Sequence, residues 1–159
     1  MGIRQILKKG DEILTKQTKS IDVFDDKLHK LLDDMSDTLK DANGVGLAFP
    51  QIGYLKCGAI IDIAAVSGSE EDLGMLEMLN PQLSDFQGEQ RDVEGCLSCP
   101  KQWGYVKRPL KCHLRAQNRY GEWYDIDLEG LAARCAMHEC DHLKGELFVD
   151  LVDEWTDQD

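Results

Sequence analysis

Residues 130–144 read GLAARCAMHECDHLK, and within them His138-Glu139-Cys140-Asp141-His142 form the pattern HExxH. Residues four apart on a helix project from the same face, so both imidazoles can meet one metal ion. Glu139 lies one position on, about 100° around the turn, and can reach a water at that ion without being a ligand itself. Gly145 stands where a left-handed C-terminal stop belongs, which predicts a helix from about Gly130 to Lys144. A catalytic centre of this kind takes three protein ligands and keeps one position open. The third ligand can be a downstream acid, Glu146, Asp150 or Glu154, as in a thermolysin-like protease, although little chain follows His142 to carry another ligand-bearing helix. It can instead be an upstream cysteine. Cys96, in Glu94-Gly95-Cys96-Leu97-Ser98-Cys99-Pro100, stands in a Gly- and Pro-bracketed segment whose turn can present a thiolate outward. Cys96 and Cys99 also spell CxxC, half of a zinc knuckle or a redox pair, but no second CxxC completes a knuckle, and Cys99 reads as a packing residue.

Outward from this helix the chain alternates short strands with one more helix. Phe24, Leu28, Leu31, Leu32, Met35 and Leu39 recur at helical spacing, with Ser20 or Asp22 as cap and Asn43-Gly44 as the end. GVGLAFPQIG follows as a loop, then an apolar run, Cys57 to Ile63, of strand length. SGSEEDLG is a surface loop, and MLEMLNPQLSDF a strand broken at Asn80-Pro81. Another strand is expected around Tyr105 to Lys107, and KCHLRAQNRYGEWYDIDLEG alternates in polarity on either side of Tyr120-Gly121, as a half-buried hairpin does. The reading is α+β, antiparallel strands packed around a helix that carries the site.

The chain has 159 residues, which suits one domain spanning 1–159, and 42% hydrophobic with 30% charged residues is an ordinary globular composition. No apolar run approaches the ~20 residues of a membrane span. MGIRQILKKGDEIL lacks the pattern of a secretory signal, so a cytoplasmic address is expected. A net charge of −12 disfavours binding to a phosphate backbone. The acidic runs DVFDDK, DDMSD, SEED and DLVDEWTDQD read as solvated faces. Without a secretory context the six cysteines read as reduced thiols or metal ligands, with Cys57, Cys112 and Cys135 as small buried hydrophobes.

Three segments in order, GVGLAFPQ at Gly44 to Gln51, EGCLS at Glu94 to Ser98 and HECDH at His138 to His142, resemble the peptide deformylases. MLNPQ before the second and LKGELFVD after the third extend the likeness over most of the chain. The resemblance implies that family's α+β fold, with Cys96, His138 and His142 holding one divalent metal and Glu139 as the acid/base group. Gln51, through its amide, and Leu97, through its backbone N–H, would stabilise the oxyanion. Gly46, with Val45 and Gly95, would position the substrate, and the helix face of Leu131, Arg134 and Cys135 would line a methionine pocket. The implied activity is removal of the N-formyl group from the N-terminal methionine of nascent polypeptides, by a monomer near the ribosome. Fe²⁺ is implied as the physiological ion, with Zn²⁺, Ni²⁺ or Co²⁺ able to replace it. The chain is similar to short members that lack a long C-terminal helix, as phage-borne ones do, which suggests a bacterial host cytoplasm or an organellar source.

Some positions depart from the family pattern. Phe49 stands where Ala is usual and is expected to pack inward. Arg134 replaces an aliphatic residue, so its charge must reach solvent, an acid or a substrate carbonyl. Trp103 replaces an Arg, and Met137 stands where Gln is common. Asp141 is expected to orient a ligand histidine or brace the helix. The rival readings are an HExxH protease with an acidic third ligand, a zinc-stabilised binding module, and a related hydrolase of other formamides.

Overall fold

In a computed structural model that describes residues 2–156, two antiparallel sheets and two longer helices frame the HExxH segment. Strands β1 (Gly46–Ala48), β2 (Gly58–Asp62), β3 (Met75–Gln87), β6 (Lys111–Gln117) and β7 (Trp123–Glu129) form a five-stranded sheet in the order β1-β2-β3-β6-β7. Strands β4 (Gln90–Cys96), β5 (Cys99–Arg108) and β8 (Val152–Trp155) form a second sheet in the order β4-β5-β8. The helices are α1 (Asp26–Asp41), the short α2 (Ile63–Ser67) and α3 (Leu131–Leu143).

Each face of the larger sheet buries one long helix. Because side chains alternate along a strand, Ala59 and Ile61 of β2 join Met78, Leu114, Ala133 and Ala136 in the cluster under α3. Ile60 points the other way and meets Leu32, Met35 and Leu39 of α1. Within the run from Cys57 to Ile63, Gly58 to Ile61 are buried because both sides of β2 are covered, and Asp62, half-buried at its end, accepts from the Ala65 N–H as the cap of α2. Phe49 is fully buried in the α1 cluster, as expected for an inward-packing aromatic.

Helix α3 ends as expected. Gly145 has φ 81°, and a Cβ there would also stand 2.5 Å from the Thr15 carbonyl oxygen, so conformation and space both require glycine. The cap of α1 differs from expectation: Asp25, rather than Ser20 or Asp22, accepts from the Leu28 N–H at 3.1 Å. The segment read as a loop contains β1 and a 3-10 turn, Phe49–Ile52. β3 runs through Asn80-Pro81 with a register shift between Leu79 and Gln82 instead of a break. Asn80 sits there at φ 50° while its amide exchanges hydrogen bonds with the Ile21 backbone at 2.8 and 2.9 Å. The expected hairpin about Tyr120-Gly121 is present as β6–β7.

The acidic runs are not uniformly solvated. Asp34 is buried, takes two hydrogen bonds from Arg4, and is held below the usual carboxylate range by them and by Lys30 against the opposing effect of burial. Within the C-terminal run Asp153 and Glu154 belong to β8 and pair with Arg91, while residues 157–159 lie outside the described part. Among the cysteines, Cys112 and Cys99 are buried as expected, whereas Cys57 and Cys135 are only half-buried.

Candidate active site

Two elements meet to build the site. Helix α3 supplies His138, Glu139 and His142 from one side, and the β4–β5 hairpin supplies Cys96 from the other. Cys96 pairs with Cys99 across the turn at Leu97-Ser98, after a register shift between Glu94 and Cys96. The shift interrupts the strand's alternation there and so re-aims the side chain. Cys96 Sγ lies 3.4 Å from His142 Nε2, and the ligand atoms of Cys96, His138 and His142 all lie within 4.8 Å of one another. Tetrahedral binding with metal–sulfur and metal–nitrogen distances of about 2.0–2.3 Å would separate such donors by about 3.5 Å. The donor set therefore fits a transition-metal ion, and the downstream acids Glu146, Asp150 and Glu154 are not part of it.

The surrounding charges suit that chemistry. Burial first, then the charge of His138 when protonated and that of Arg108, pulls His142 down to about 3, so its ring is neutral and able to coordinate. His138 turns Nδ1 to Glu94 Oε1 at 2.9 Å, which leaves Nε2 for an ion. Burial opposes ionisation of Glu94, but hydrogen bonds from Arg108 and His138 prevail and hold it at about 2. The Cys96 thiol keeps its proton more firmly than usual, through its hydrogen bond with Cys99, burial and the Glu139 carboxylate. A divalent cation reverses that preference by taking the thiolate.

Glu139 is almost fully buried, and burial pushes its carboxyl up to about 7. Its Oε1 finds no hydrogen-bond partner among the described residues, which leaves an acceptor for a group entering the cavity. Gln51 is oriented at both ends: Oε1 accepts from the Ala48 N–H at 2.9 Å, and Nε2 donates to Ser98 Oγ at 3.0 Å and reaches Cys96 Sγ at 3.6 Å. Leu97 lies in the turn beside Cys96.

A cavity of about 390 Å³ opens beside these groups. Val45, Gly46, Gly95, Leu131, Arg134 and Cys135 all line it, together with Cys96 and Glu139. Trp103 lines it as well, against Gly95. Arg134 is 3% exposed and its Nη1 donates to Glu94 Oε2 at 2.6 Å, so its charge has found an acid.

Of the two roles expected for Asp141, the structure shows the second: it braces α3 against β5 by accepting from Arg108 Nη1 at 2.9 Å, while the carboxylate that orients His138 is that of Glu94. Glu94 and Arg108 do not stand out in the sequence as site residues. Glu94 carries a signal, since ligand histidines commonly donate their second nitrogen to a carboxylate; Arg108 carries none, because its role depends on where β5 lies.

The chain matches the polypeptide deformylase family over residues 3–158. It is 47% identical to a peptide deformylase of Caldicellulosiruptor bescii, over 96% of this chain and 87% of that protein. A peptide deformylase structure from Legionella pneumophila superposes with TM-score 0.89 at 41% identity, covering 95% of this chain and 86% of the other. A Synechococcus elongatus peptide deformylase in complex with actinonin gives 0.88 at 32% identity, covering 97% and 81%. These matches lend no support to a phage or organellar source. With the ligand geometry, the α+β fold and this near-complete coverage in agreement, the chain belongs to the polypeptide deformylase family.

Proposed function

We propose that the protein acts as a peptide deformylase, hydrolysing the N-formyl group of formylmethionine at the start of nascent polypeptides and releasing formate. The observation that carries this reading is the convergence of Cys96 Sγ with the His138 and His142 rings, next to a buried Glu139 and at the wall of a cavity. We read residues 1–159 as one catalytic domain.

Cys96, His138 and His142 would hold one divalent metal ion. When bound, such an ion supplies Lewis acidity that brings the pKa of water toward ~7. Glu139, raised to about 7 by burial, is matched to accept the proton of the attacking water and to return it to the departing amine. Charge then develops on the formyl oxygen. The Gln51 amide and the Leu97 N–H are the donors we assign to it, and losing one such donor typically costs ~3 kcal/mol. Gly46, Val45 and Gly95 would align the peptide backbone, and Leu131 and Cys135 would wall the methionine side chain. A thiolate with two imidazoles suits Fe²⁺ and Zn²⁺ alike; we propose Fe²⁺ as the physiological ion, replaceable by Zn²⁺, Ni²⁺ or Co²⁺. No helix among the described residues is long and apolar enough to cross a membrane. We further propose a monomer that works in the cytoplasm near the ribosome, without binding nucleic acid directly.

The test is formate release from formyl-Met-Ala-Ser by anaerobically prepared Fe²⁺- or Ni²⁺-loaded protein. Turnover is expected, and Glu139→Gln should keep the metal while losing about 10²–10⁴ in rate. Metal-loaded wild-type protein that releases no formate would remove this function.

A further inference from the structure

Arg134 stands one turn before His138 on α3, and the hydrogen bonds of its guanidinium go from Nη1 to groups of the β4–β5 hairpin. Nη1 donates at 2.6 Å to Glu94 Oε2, at 3.1 Å to the Val106 carbonyl and, more weakly, at 3.5 Å to the Asp92 carbonyl. Asp92 and Val106 are register partners across β4 and β5, so one nitrogen of the helix reaches both strands of the hairpin. A few residues further along β4 comes Cys96.

Glu94 stands at the centre of this contact. It accepts from Arg108 Nε at 2.5 Å and Nη2 at 2.9 Å, from Arg134, and from His138 Nδ1 at 2.9 Å. Arg108 comes from the hairpin itself, and it also reaches Asp141 of α3. Arg134 comes from the helix. Two guanidiniums, one from the hairpin and one from the helix, therefore both donate to Oε2 of one carboxylate, and that carboxylate holds a histidine ring through its other oxygen. Arg134 Nη2 is buried and finds no hydrogen-bond partner among the described residues. A buried donor left unsatisfied is destabilising, and a buried ion pair is often no better for stability than apolar packing. Wall-filling alone would be served by an aliphatic side chain.

We propose that Arg134 is a positioning residue that fixes the ligand-bearing helix to the ligand-bearing hairpin, holding the Cys96 thiol in register with the His138 and His142 rings through Glu94 and the β4–β5 carbonyls. The inference rests on the metal reading given above. It concerns how long the ligand set keeps its ion, not the chemistry at the substrate.

The experiment loads wild-type, Arg134→Met and Arg134→Lys proteins with Co²⁺, and follows metal loss to excess EDTA, the visible absorption of the bound ion, and Tm. Arg134→Met should lose Co²⁺ about 10–100-fold faster, the range found when partners of metal ligands are removed, with an altered absorption spectrum. Arg134→Lys restores a cation beside Glu94 and should recover most of the retention. Release at the wild-type rate with an unchanged spectrum overturns the proposal, even where Tm falls, because that pattern marks a merely structural residue. If Arg134→Met does not fold, Arg134→Gln, which keeps an NH₂ donor and drops the charge, carries the same expectation and the same overturning result. Wild-type protein that takes up no Co²⁺ would overturn the metal reading and this proposal together, which separates the two failures.

Discussion

The Glu139 carboxylate leaves no room for a side chain on Gly46: a Cβ there would stand 2.5 Å from Oε2 and 3.1 Å from Cδ. Gly46 of β1 pairs with Ile61 of β2 in extended backbone, so a side chain there would meet the end of Glu139 rather than backbone strain. Gly46→Ala should push the carboxylate aside. A displacement near about 1 Å can cost about 10² in rate, so kcat should fall by roughly that factor while bound metal stays constant. An unchanged kcat would show that Glu139 tolerates the shift and that its placement is not critical.

Gly95 makes a similar close contact with a different outcome. A Cβ on it would collide with the six-membered ring of Trp103, which is 51% exposed at the cavity wall. Gly95→Ala must therefore move the indole, and KM for formyl-Met peptides should rise about tenfold, equivalent to ~1.4 kcal/mol, with kcat little changed. A double-mutant cycle checks the cause. In a Trp103→Ala background the added methyl should have almost no effect, and a full effect there would clear Trp103 of involvement.

Phe49 fills the core where a small residue is usual, its ring lying where a Cβ of Gly58 would come within 2.5 Å, and edge-on to Tyr54 at a centroid distance of 6.4 Å. Phe49→Ala should cost about 3–5 kcal/mol, the usual range for a buried phenylalanine. Urea unfolding monitored by circular dichroism measures it. A loss under about 1 kcal/mol would mean that the neighbouring chain collapses into the gap.

His113 bridges two acids of the neighbouring strand, with Nδ1 at 2.7 Å from Asp127 and Nε2 at 2.8 Å from Asp125. The hydrogen bond with Asp127, followed by that with Asp125, raises its pKa above the usual 6.5. A folded-state pKa above the unfolded one adds stability that is complete below the unfolded value and disappears as pH rises through the folded one. The Tm of His113→Gln should therefore lie below wild type near about pH 6 and converge with it by about pH 9. An equal gap at both pH values would point to neutral hydrogen bonding instead of charge.

Periodicity alone makes the large elements legible. The 3.6-residue spacing of Leu28, Leu31, Leu32, Met35 and Leu39 declares α1, and alternation on either side of Tyr120-Gly121 declares the β6–β7 hairpin. The same helical phase places His138 and His142 on one face. Strands β4 and β8 carry little such signal, since QRDVEGC and VDEW are short and largely polar, and β8 is an exposed edge strand with little to alternate against. The cap of α1 is ambiguous in the sequence because Ser20, Asp22 and Asp25 are all chemically able to cap; only the chain's path selects Asp25.

What the residues by themselves determined was local: which segments coil, which face of α3 carries two imidazoles, and which few thiols and carboxylates were available to join them. What only the tertiary structure decided was the company each group keeps. It brought Cys96, rather than Glu146, Asp150 or Glu154, to the rings, gave His138 to Glu94 and Asp141 to Arg108, and gave Arg134, a residue of the cavity wall, hydrogen bonds to both strands of the β4–β5 hairpin. The physical reason is that spacing along a chain encodes the face an element buries, whereas its partner is chosen by the packing of two sheets around one helix, a sum over contacts from distant parts of the sequence.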